Sequence, residues 1–391
     1  IITTMAIDNK DKKILNVPHL RFPEFSGEWE EHTLSEYLEF KNGLNPDAKR
    51  IGSGLPFISV MDILSEGVIN YDNIRGKVNA TEKEIECFGV KDGDLLFQRS
   101  SETLEDVGRA NVYMDNRTAI YGGFVIRGRK IGNYDPLFFK YLLATPLARK
   151  RTCRMGAGAQ HFNIGQEGLS KISLYFPSIE EQRKIAEFLS LIDERIATQN
   201  KIIEKLQSLI KGIAQHCIKE STSGNTYVKL GDICQITTGK LDANAQVDNG
   251  IYPFFTCAEQ PFKIDSFAFD TEALLISGNG ANLGYINYYK GKFNAYQRTY
   301  VLDLFSENIQ YIKWALKVLL PKRIAIEKSS SNTPYIVLST LTDLRLPIPC
   351  KSKQSFIANL MQSLERKLSN QIAQYDSYNY LKQYLLRQMF I

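Results

Sequence analysis

The sequence predicts an α+β protein: two mixed α/β domains separated by two long helices, which pack as an antiparallel coiled coil in a pseudo-twofold repeat. Three observations predict this fold class: an internal repeat, two long heptad seams, and short β-rich runs punctuated by Gly, Asn and Asp. The predicted order is a lead-in at 1–27, a first domain at 28–178, a first central helix at 179–220, a second domain at 225–349 and a second central helix at 350–391.

The internal repeat is strongest where each predicted domain meets its helix. Ile185-Ala186 returns 172 residues later as Ile357-Ala358, and Gln182 returns at the same spacing as Gln354. Upstream the spacing drifts, as loop insertions would make it drift. The upstream matches are Leu34-Ser35-Glu36-Tyr37 with Leu230-Gly231-Asp232-Ile233, 57–59 with 254–256, and 95–97 with 274–276. One scaffold that carries two different sets of polar loops indicates two different recognition events.

Two long helices are predicted from apolar residues that alternate by four and three. A narrow apolar stripe is unstable alone in water, so the two helices are expected to pack on each other in antiparallel orientation. Lys382 interrupts the second seam, and Ser178-Ile179-Glu180-Glu181 predicts a capping box at the start of the first helix. The predicted packing residues are Ile185, Leu189, Ile192, Ile196, Gln199, Ile203 and Leu206 in the first helix, and Ile357, Met361, Leu364, Leu368 and Gln371 in the second.

Gln199 and Gln371 are polar residues near the middle of the two seams. Full antiparallel overlap would bring them together, where a buried polar pair fixes the register of two helices. The alternative is that each glutamine side chain reaches out to water.

The two globular segments contain short strand-like runs and one predicted helix each, with no regular βαβ alternation. The helices are predicted around Pro136–Ala148 and Ile309–Leu320. The strand-like runs are Leu95-Leu96-Phe97, Phe124-Val125-Ile126, 172–176, 273–276 and Tyr300-Val301-Leu302.

Composition and missing motifs argue for binding rather than catalysis. The net charge of +5 permits nucleic-acid binding without requiring it. The six cysteines form no C-x-x-C pair and the four histidines are scattered, so no metal site is predicted. No phosphate loop, dinucleotide fingerprint, Ser/His/Asp elbow or amino-methyltransferase motif occurs, so no catalytic residue is predicted. The sequence has no run of 18 apolar residues and no signal-peptide pattern, which predicts a cytoplasmic protein without membrane contact.

The chain resembles the specificity subunit of type I restriction–modification systems. The resemblance covers nearly the whole chain from about Val17, and it lies in the order and duplication of its motifs. Pro177-x-x-x-Glu181-Gln182-x-x-Ile185-Ala186 is similar to the family's helix entry, whereas the second copy has Lys353 in place of the glutamate. A partner contact that needs this carboxylate is therefore in doubt in the second copy. The other similar segments are 17–25 with Trp29, 55–63, 250–257 and 295–300.

The resemblance implies a function and a set of partners. Each globular segment would be a target-recognition domain that reads one half of a split site in double-stranded DNA, and the helix pair would set the unread spacer. Two modification subunits, which methylate adenine with S-adenosylmethionine, and restriction subunits with ATP- and Mg-dependent translocase activity would dock on the chain in a bacterial cytoplasm. The chain itself would carry no cofactor and no catalysis.

Candidate DNA-binding residues are polar side chains at predicted strand ends and in Gly-rich turns, because Arg, Lys, Asn and Gln read base edges by paired hydrogen bonds. In the first domain they are Lys41, Asn42, Lys49, Arg50, Gln98, Arg99, Gln160, His161 and Asn163. In the second they are Lys240, Asn244, Asn279, Asn282, Gln297, Arg298, Ser330 and Asn332.

Simpler interpretations remain open for these residues. Arg99 and Arg298 could be solvated charges, Asn279 and Asn282 could form turns, and Gln160-His161 could belong to a mobile connector. For the whole chain, one alternative is a coiled-coil scaffold with two peptide- or sugar-binding domains. Another is a stand-alone nuclease or methyltransferase, which the missing motifs oppose.

Overall fold

A computed structural model describes the backbone of Thr3–Thr4 and residues 16–221, 226–328 and 335–391. The described chain divides into two compact units. The first unit contains the chain up to Gln199 together with Gln374–Ile391, and the second contains Asn200–Ala373. Each long helix therefore contributes one part to each unit.

The first unit contains small sheets and short helices, followed by the start of the first long helix. Its strands are β1 (Thr3–Thr4), β2 (Leu20–Arg21), β3 (Glu30–Thr33), β4 (Leu38–Asn42), β5 (Ile51–Ile58), β6 (Gly76–Val78), β7 (Gly89–Val90), β8 (Leu95–Gln98), β9 (Ser100–Ser101), β10 (Ala110–Val112), β11 (Ala119–Tyr121), β12 (Val125–Lys130), β13 (Phe162–Asn163) and β14 (Ser173–Phe176). Its helices are α1 (Leu34–Tyr37), α2 (Val60–Ile63), α3 (Glu82–Phe88), α4 (Pro136–Ala144), α5 (Pro146–Arg154), α6 (Gln166–Ser170) and the start of α7 (Ile179–Glu220).

The second unit has fewer and longer strands. These are β15 (Thr226–Lys229), β16 (Gln235–Thr238), β17 (Tyr252–Phe255), β18 (Phe262–Ile264), β19 (Phe269–Ser277), β20 (Ile286–Ala295), β21 (Thr299–Asp303) and β22 (Arg345–Ile348). Its helices are the later part of α7, α8 (Ile309–Lys328), α9 (Leu338–Thr342) and the start of α10 (Lys351–Gln388). The prediction of mixed helices and sheets with two long helices is confirmed.

The two units share one strand plan. In the first unit, one four-stranded sheet has the order β10-β8-β12-β4 and another has the order β6-β5-β11-β7. In the second unit, a single sheet has the order β16-β21-β19-β20-β17-β18. The long strand β20 pairs with both β19 and β17, and so takes the places of β10 and β11 together. Parallel pairing of β5 with β11 corresponds to parallel pairing of β17 with β20.

Equivalent backbone hydrogen bonds in the two units confirm the repeat. The N–H of Leu34 donates to the carbonyl of Ile172 at 2.8 Å, and the N–H of Leu230 donates to the carbonyl of Leu344 at 2.9 Å. Because these bonds fix where each domain's first and last strands meet, the upstream match found in the sequence is a structural equivalence.

Gln182 and Gln354 occupy the same buried position in the two copies. The amide of Gln182 donates to the carbonyl of Pro177 at 3.0 Å and accepts from the N–H of Asp135 at 3.1 Å. The amide of Gln354 makes the same two bonds, to the carbonyl of Pro349 at 2.9 Å and from the N–H of Asn308 at 3.0 Å. Each glutamine thus ties the start of a long helix to the start of a domain helix, α4 or α8.

Within each unit, α7 and α10 share a hydrophobic core in antiparallel order. In the first unit, Ile192 and Ile196 of α7 pack in the same core as Leu385 and Met389 of α10. In the second unit, Leu206 and later residues of α7 pack in the same core as Ile357 and Met361, with the half-buried Leu364 and Leu368 against it. The predicted antiparallel packing is therefore confirmed. Lys382, which interrupts the seam, forms an ion pair with Asp193 of α7 at 2.6 Å.

The remaining predicted packing residues are consistent with this arrangement. Ile185, Leu189 and Ile203 are buried, as is Gln199, whereas Gln371 is half-buried. The pairing of Gln199 with Gln371 stays a prediction.

The predicted capping box at the start of α7 is half wrong. The hydroxyl of Ser178 accepts from the N–H of Glu181 at 3.4 Å, as a cap should. The Glu181 carboxylate, however, does not return to the cap: it accepts from Nε and Nη2 of Arg21 at 2.8 and 2.7 Å. Leaving a buried carboxylate without a cation costs more free energy than leaving an N–H at the start of a helix without a second acceptor. The glutamate that Lys353 replaces in the second copy therefore makes a contact inside the first unit, with Arg21.

Several element boundaries differ from the sequence prediction; Ile172, for example, lies just before β14. The helix predicted at Pro136–Ala148 is two helices, because Pro146 holds Thr145 in an extended conformation that ends α4 and caps α5. The helix predicted at Ile309–Leu320 continues to Lys328 through Pro321. Phe124 lies outside β12 and is exposed. Among the helices of the described chain, none is long and apolar enough to cross a membrane.

Candidate nucleic-acid interface

Four chain segments of the first unit meet at one end of its sheets. We call residues 42–45, 98–101, 122–124 and 160–163 the first loop cluster. The N–H of Arg99 donates to the carbonyl of Phe124 at 2.9 Å, and the N–H of Leu44 donates to the carbonyl of Tyr121 at 2.9 Å. β13 pairs with β9, placing Asn163 opposite Ser100. Backbone hydrogen bonds therefore hold these polar segments side by side on a fixed scaffold.

Six of the predicted DNA-binding residues lie in this cluster. Gln160, His161 and Asn163 are exposed, while Asn42 and Arg99 are half-buried. Ser100 donates a hydrogen bond from its hydroxyl to the side-chain oxygen of Asn163. Arg99 donates to the carbonyl of Gly123 at 3.4 Å, a long contact that leaves most of the guanidinium available.

Gln98 forms the floor of the first loop cluster. Its side chain is only 5% exposed, and its amide donates to the carbonyl of Ser100 at 2.9 Å. Its Oε1 has no hydrogen-bond partner within the described residues. A buried acceptor without a donor is costly, so this oxygen favours a donor from water or from a bound molecule.

Three predicted residues of the first unit lie outside the cluster. Lys41 donates to the sulfur of Cys87 at 2.8 Å and lies over the ring of Phe88. Lys49 is exposed and Arg50 half-buried at the start of β5, whereas the end of that strand lies beside the cluster. The guanidinium of Arg50 holds Glu84 in a two-pronged ion pair, which lowers the pKa of that carboxyl to about 2. With its donors occupied, Arg50 is a poorer candidate for base contact than Arg99.

Three chain segments of the second unit meet in a similar way at one end of its sheet. We call residues 238–241, 277–282 and 296–298 the second loop cluster. Leu241 bridges to Tyr296, and the N–H of Gln297 donates to the carbonyl of Leu241 at 2.9 Å. The N–H of Gly278 donates to the carbonyl of Arg298 at 2.8 Å, joining the ends of β19 and β21.

Lys240, Gln297 and Arg298 are exposed in this cluster, and their side chains make no hydrogen bond or ion pair to any residue that the structure describes. Asn279 and Asn282 are half-buried. The side-chain oxygen of Asn279 accepts from the Cys257 thiol at 3.0 Å, and the amide of Asn282 donates to the Cys257 carbonyl at 3.1 Å. Asn244 is exposed in the turn just after the cluster, and Ser330 and Asn332 lie outside the described residues.

The two clusters place different side chains at equivalent positions. The Arg99-to-Phe124 backbone bond corresponds to the Gly278-to-Arg298 bond. Arg298 thus stands where the first unit has Phe124, and Gly278 stands where the first unit has Arg99. The two arginines are therefore not copies of each other. Each loop cluster contains one arginine, and the two lie at the ends of different strands: Arg99 follows β8 and Arg298 precedes β21.

Sequence reasoning missed Phe124 as a site residue, because its apolar character suggested a buried strand. It is 68% exposed at the tip of the turn formed by Gly122 and Gly123. The two preceding glycines were the available signal, since paired glycines mark turns. Within the described chain, no group of three or more His, Cys, Asp or Glu side chains could hold a metal ion.

Comparison with known proteins gives a consistent result. The family model for the type I restriction modification DNA specificity domain matches residues 26–208 and again 222–375. The EcoDI specificity subunit of Escherichia coli is 44% identical over 137 residues, which cover 35% of this chain and 30% of that protein. The MjaX specificity subunit of Methanocaldococcus jannaschii is 25% identical over 219 residues. The chain spans 30% and 51% of the lengths of these two relatives.

Longer but weaker matches extend over most of the chain. The MjaIX specificity subunit of Methanocaldococcus jannaschii is 22% identical over 394 residues, covering 88% of each protein. Among solved structures, the S subunit of a type I restriction-modification system from M. genitalium superposes with a TM-score of 0.64 at 18% identity, covering 96% of this chain and 99% of that one. This likeness shows that the whole fold is shared.

Proposed function

The chain belongs to the type I restriction-modification DNA specificity family, and from this premise we propose that it is the non-catalytic subunit that selects a bipartite site in double-stranded DNA. Each recognition domain would read one half-site through its loop cluster. The lengths of the two long helices would determine how many base pairs lie unread between the half-sites.

The observation that carries this proposal is the pair of loop clusters on one strand plan. The backbone bond from Arg99 to Phe124 is equivalent to the bond from Gly278 to Arg298, whereas the polar side chains of the clusters differ. They are Arg99, Gln160 and His161 in the first cluster and Lys240, Gln297 and Arg298 in the second. Reading DNA needs such a fixed scaffold with variable donors, because each base pair presents its own donor and acceptor pattern in the major groove. Two different clusters on one chain favour a site with two different halves.

Partners would supply the chemistry. Two modification subunits with S-adenosylmethionine would methylate adenine, and restriction subunits with ATP and Mg would cleave. Both long helices keep apolar side chains exposed, among them Leu191, Leu209, Phe356 and Tyr380. Exposed apolar residues on a helix favour contact with another protein, so these faces are the proposed docking surface for the modification subunits.

An exchange of the second domain tests the proposal directly. Residues 225–349 are replaced by the corresponding segment of another specificity subunit, and the chain is expressed with its modification subunit. Methylome sequencing should show a split adenine motif for the original chain, and the exchange should change only one half of it. A motif that changes in both halves, or in neither, would contradict separate reading by the two domains.

A single substitution tests one reading residue. Arg298→Ala should weaken binding to the cognate duplex by about 1–3 kcal/mol and relax the sequence requirement at one position of one half-site, since it removes a paired base contact. The matched control is Arg345→Ala, because Arg345 is an exposed arginine of the same unit on β22, outside the cluster. Competition binding with single-position duplex variants measures both effects. Equal losses for the two variants would show that Arg298 acts only as a general positive charge.

A further inference from the structure

A cleft of about 530 Å³ lies in the first unit, apart from the first loop cluster. Its walls come from the end of α2, the segment 105–111, α4, α5 and the last part of α10. Its lining contains no residue of the first loop cluster. Its lining is unusual in charge and therefore indicates what it would hold.

Positive side chains dominate the lining. Five cationic residues face one carboxylate, Glu105: the cations are Arg109, Lys140, Arg149, Lys150 and Lys382. Arg109 and Lys382 are ion-paired with Asp106 and Asp193 at 2.6 Å each. The other three make no ion pair with any carboxylate of the described residues. Because the carboxylate of Glu105 also lines the cleft, the cleft carries about two uncompensated positive charges.

Two of the three cations without an ion pair are partly removed from water. Arg149 donates through Nη2 to the carbonyls of Glu105 and Val107 at 2.8 and 2.6 Å, which hold the guanidinium in place. Burial lowers the pKa of Arg149, and nearby Arg109 lowers it further. Burial also lowers the pKa of Lys140 to about 8; Asp193 opposes this change and Lys382 adds to it.

Partly desolvated cations without counter-ions destabilise a fold, because desolvation and like-charge repulsion both disfavour the charged form. A fold that keeps two of them in one cleft is stabilised when an anion enters. Phosphate suits this lining, since it accepts from the fixed fork of an arginine and from the point charges of lysines at the same time. Its charge would also balance more than one cation.

The position of the cleft suggests one source for the phosphate. The N–H of Gln98, in the first loop cluster, donates to the carbonyl of Arg109 at 2.7 Å. The N–H of Gly108 also donates to the carbonyl of Gln98 at 2.9 Å, so backbone hydrogen bonds join the rim of the cleft to the cluster. Phosphate contacts beside a base-reading surface fix the register of a protein on DNA.

We propose that this cleft is a phosphate-binding site in which Arg149, Lys140 and Lys150 hold the anion. The phosphate belongs either to the backbone of bound DNA or to a free phosphate compound such as a nucleotide. The charge and shape of the cleft stand independently of sequence reading by the loop clusters, so the two proposals can fail separately.

The test uses the complete chain assembled with its modification subunits. The variant carries both Lys140→Gln and Lys150→Gln. The matched control is Lys91→Gln. Lys91 is an exposed lysine that precedes β8, whereas Gln98 lies at the other end of that strand. In the first arm, inorganic pyrophosphate is titrated by calorimetry. The original complex and the control should bind it, and the double variant should bind it at least about tenfold more weakly, as expected for two lost charge-assisted hydrogen bonds.

The second arm measures DNA affinity against salt concentration. If DNA supplies the phosphate, the slope of log K against log salt should fall by about 1 in the double variant, on cognate and non-cognate duplexes alike. An unchanged slope with lost pyrophosphate binding would assign the site to a free phosphate compound. Unchanged behaviour in both arms overturns the proposal.

The variants also need a readout that a folding defect would not imitate. Removing a desolvated cation should raise the melting temperature of the double variant in phosphate-free buffer, whereas a merely structural role for Lys140 would lower it. Lys150→Gln alone, at an exposed position, provides the second variant if the double variant does not assemble. It should show the same direction of change in pyrophosphate affinity.

Discussion

Gly239→Ala is expected to abolish reading of one half-site while leaving the other half-site intact. A Cβ atom on Gly239 would lie 1.9 Å from the carbonyl oxygen of Ala295 and 2.6 Å from that of Tyr296. Both obstacles are backbone atoms, so no side-chain movement relieves the clash. The segment 238–241 must therefore move away from β20, which breaks the bridge from Leu241 to Tyr296 that closes the second loop cluster.

The expected cost of Gly239→Ala is about 1–3 kcal/mol in the free energy of unfolding, as for other overpacked substitutions. Displacement of Lys240, Gln297 and Arg298 should also remove discrimination at one half-site. Binding is measured on duplexes in which one or the other half-site is scrambled. Scrambling the half-site that the second domain reads should weaken binding by the original chain but no longer weaken binding by the variant. Each lost base pair of recognition is worth about 1–3 kcal/mol.

Two other glycines provide the comparison. Gly43 holds the equivalent position in the first loop cluster, where a Cβ would lie 2.1 Å from the carbonyl oxygen of Gly122, so Gly43→Ala should affect the opposite half-site. Gly212 lies inside α7 with no atom within 4 Å of an added Cβ. Gly212→Ala should raise the free energy of unfolding by about 0.5–1 kcal/mol and leave the DNA site unchanged. Unaltered half-site discrimination in Gly239→Ala would contradict the role assigned to the cluster.

Glu181→Gln is expected to lower the free energy of unfolding by about 3–5 kcal/mol, since it leaves a buried arginine without its counter-charge. Arg21 and Glu181 are 6% and 1% exposed. Arg21 also donates to the carbonyls of Gly27 and Ser26 at 2.5 and 3.2 Å, so the pair fastens the lead-in to the start of α7. Chemical denaturation measures the loss, and hydrogen exchange should rise in residues 16–27.

An exposed ion pair between the same two segments is the matched control. Lys184, three residues further along α7, pairs with Glu24 of the lead-in, and both side chains are more than two-fifths exposed. Lys184→Gln should leave the denaturation midpoint unchanged, because water and salt already screen the exposed pair. Similar losses in the two variants would mean that burial does not decide the strength of these contacts.

The sequence alone determined the duplication, the family and the antiparallel helix pair. Residues that pack along a helix, or at the same place in both copies, leave a periodic or repeated pattern in the sequence. Examples are the heptad seam through Ile192 and Ile196 and the paired Gln182 and Gln354. These features depend on spacing along the chain, so they could be recognised without coordinates. The strand skeleton was also predictable where apolar runs such as Leu95-Leu96-Phe97 pair in the sheet.

Only the tertiary structure decided which polar side chains remain available. Arg50 and Arg99 look alike in sequence, yet Glu84, 34 residues away, occupies the first of them. Glu181 suggested a helix cap but binds Arg21 from a distant segment, and Arg298 corresponds to Phe124 rather than to Arg99. Such contacts join residues far apart in the chain, and their partners depend on strand pairing and burial. Local pattern does not encode them, which is why the scaffold was readable from the sequence and the surface of the site was not.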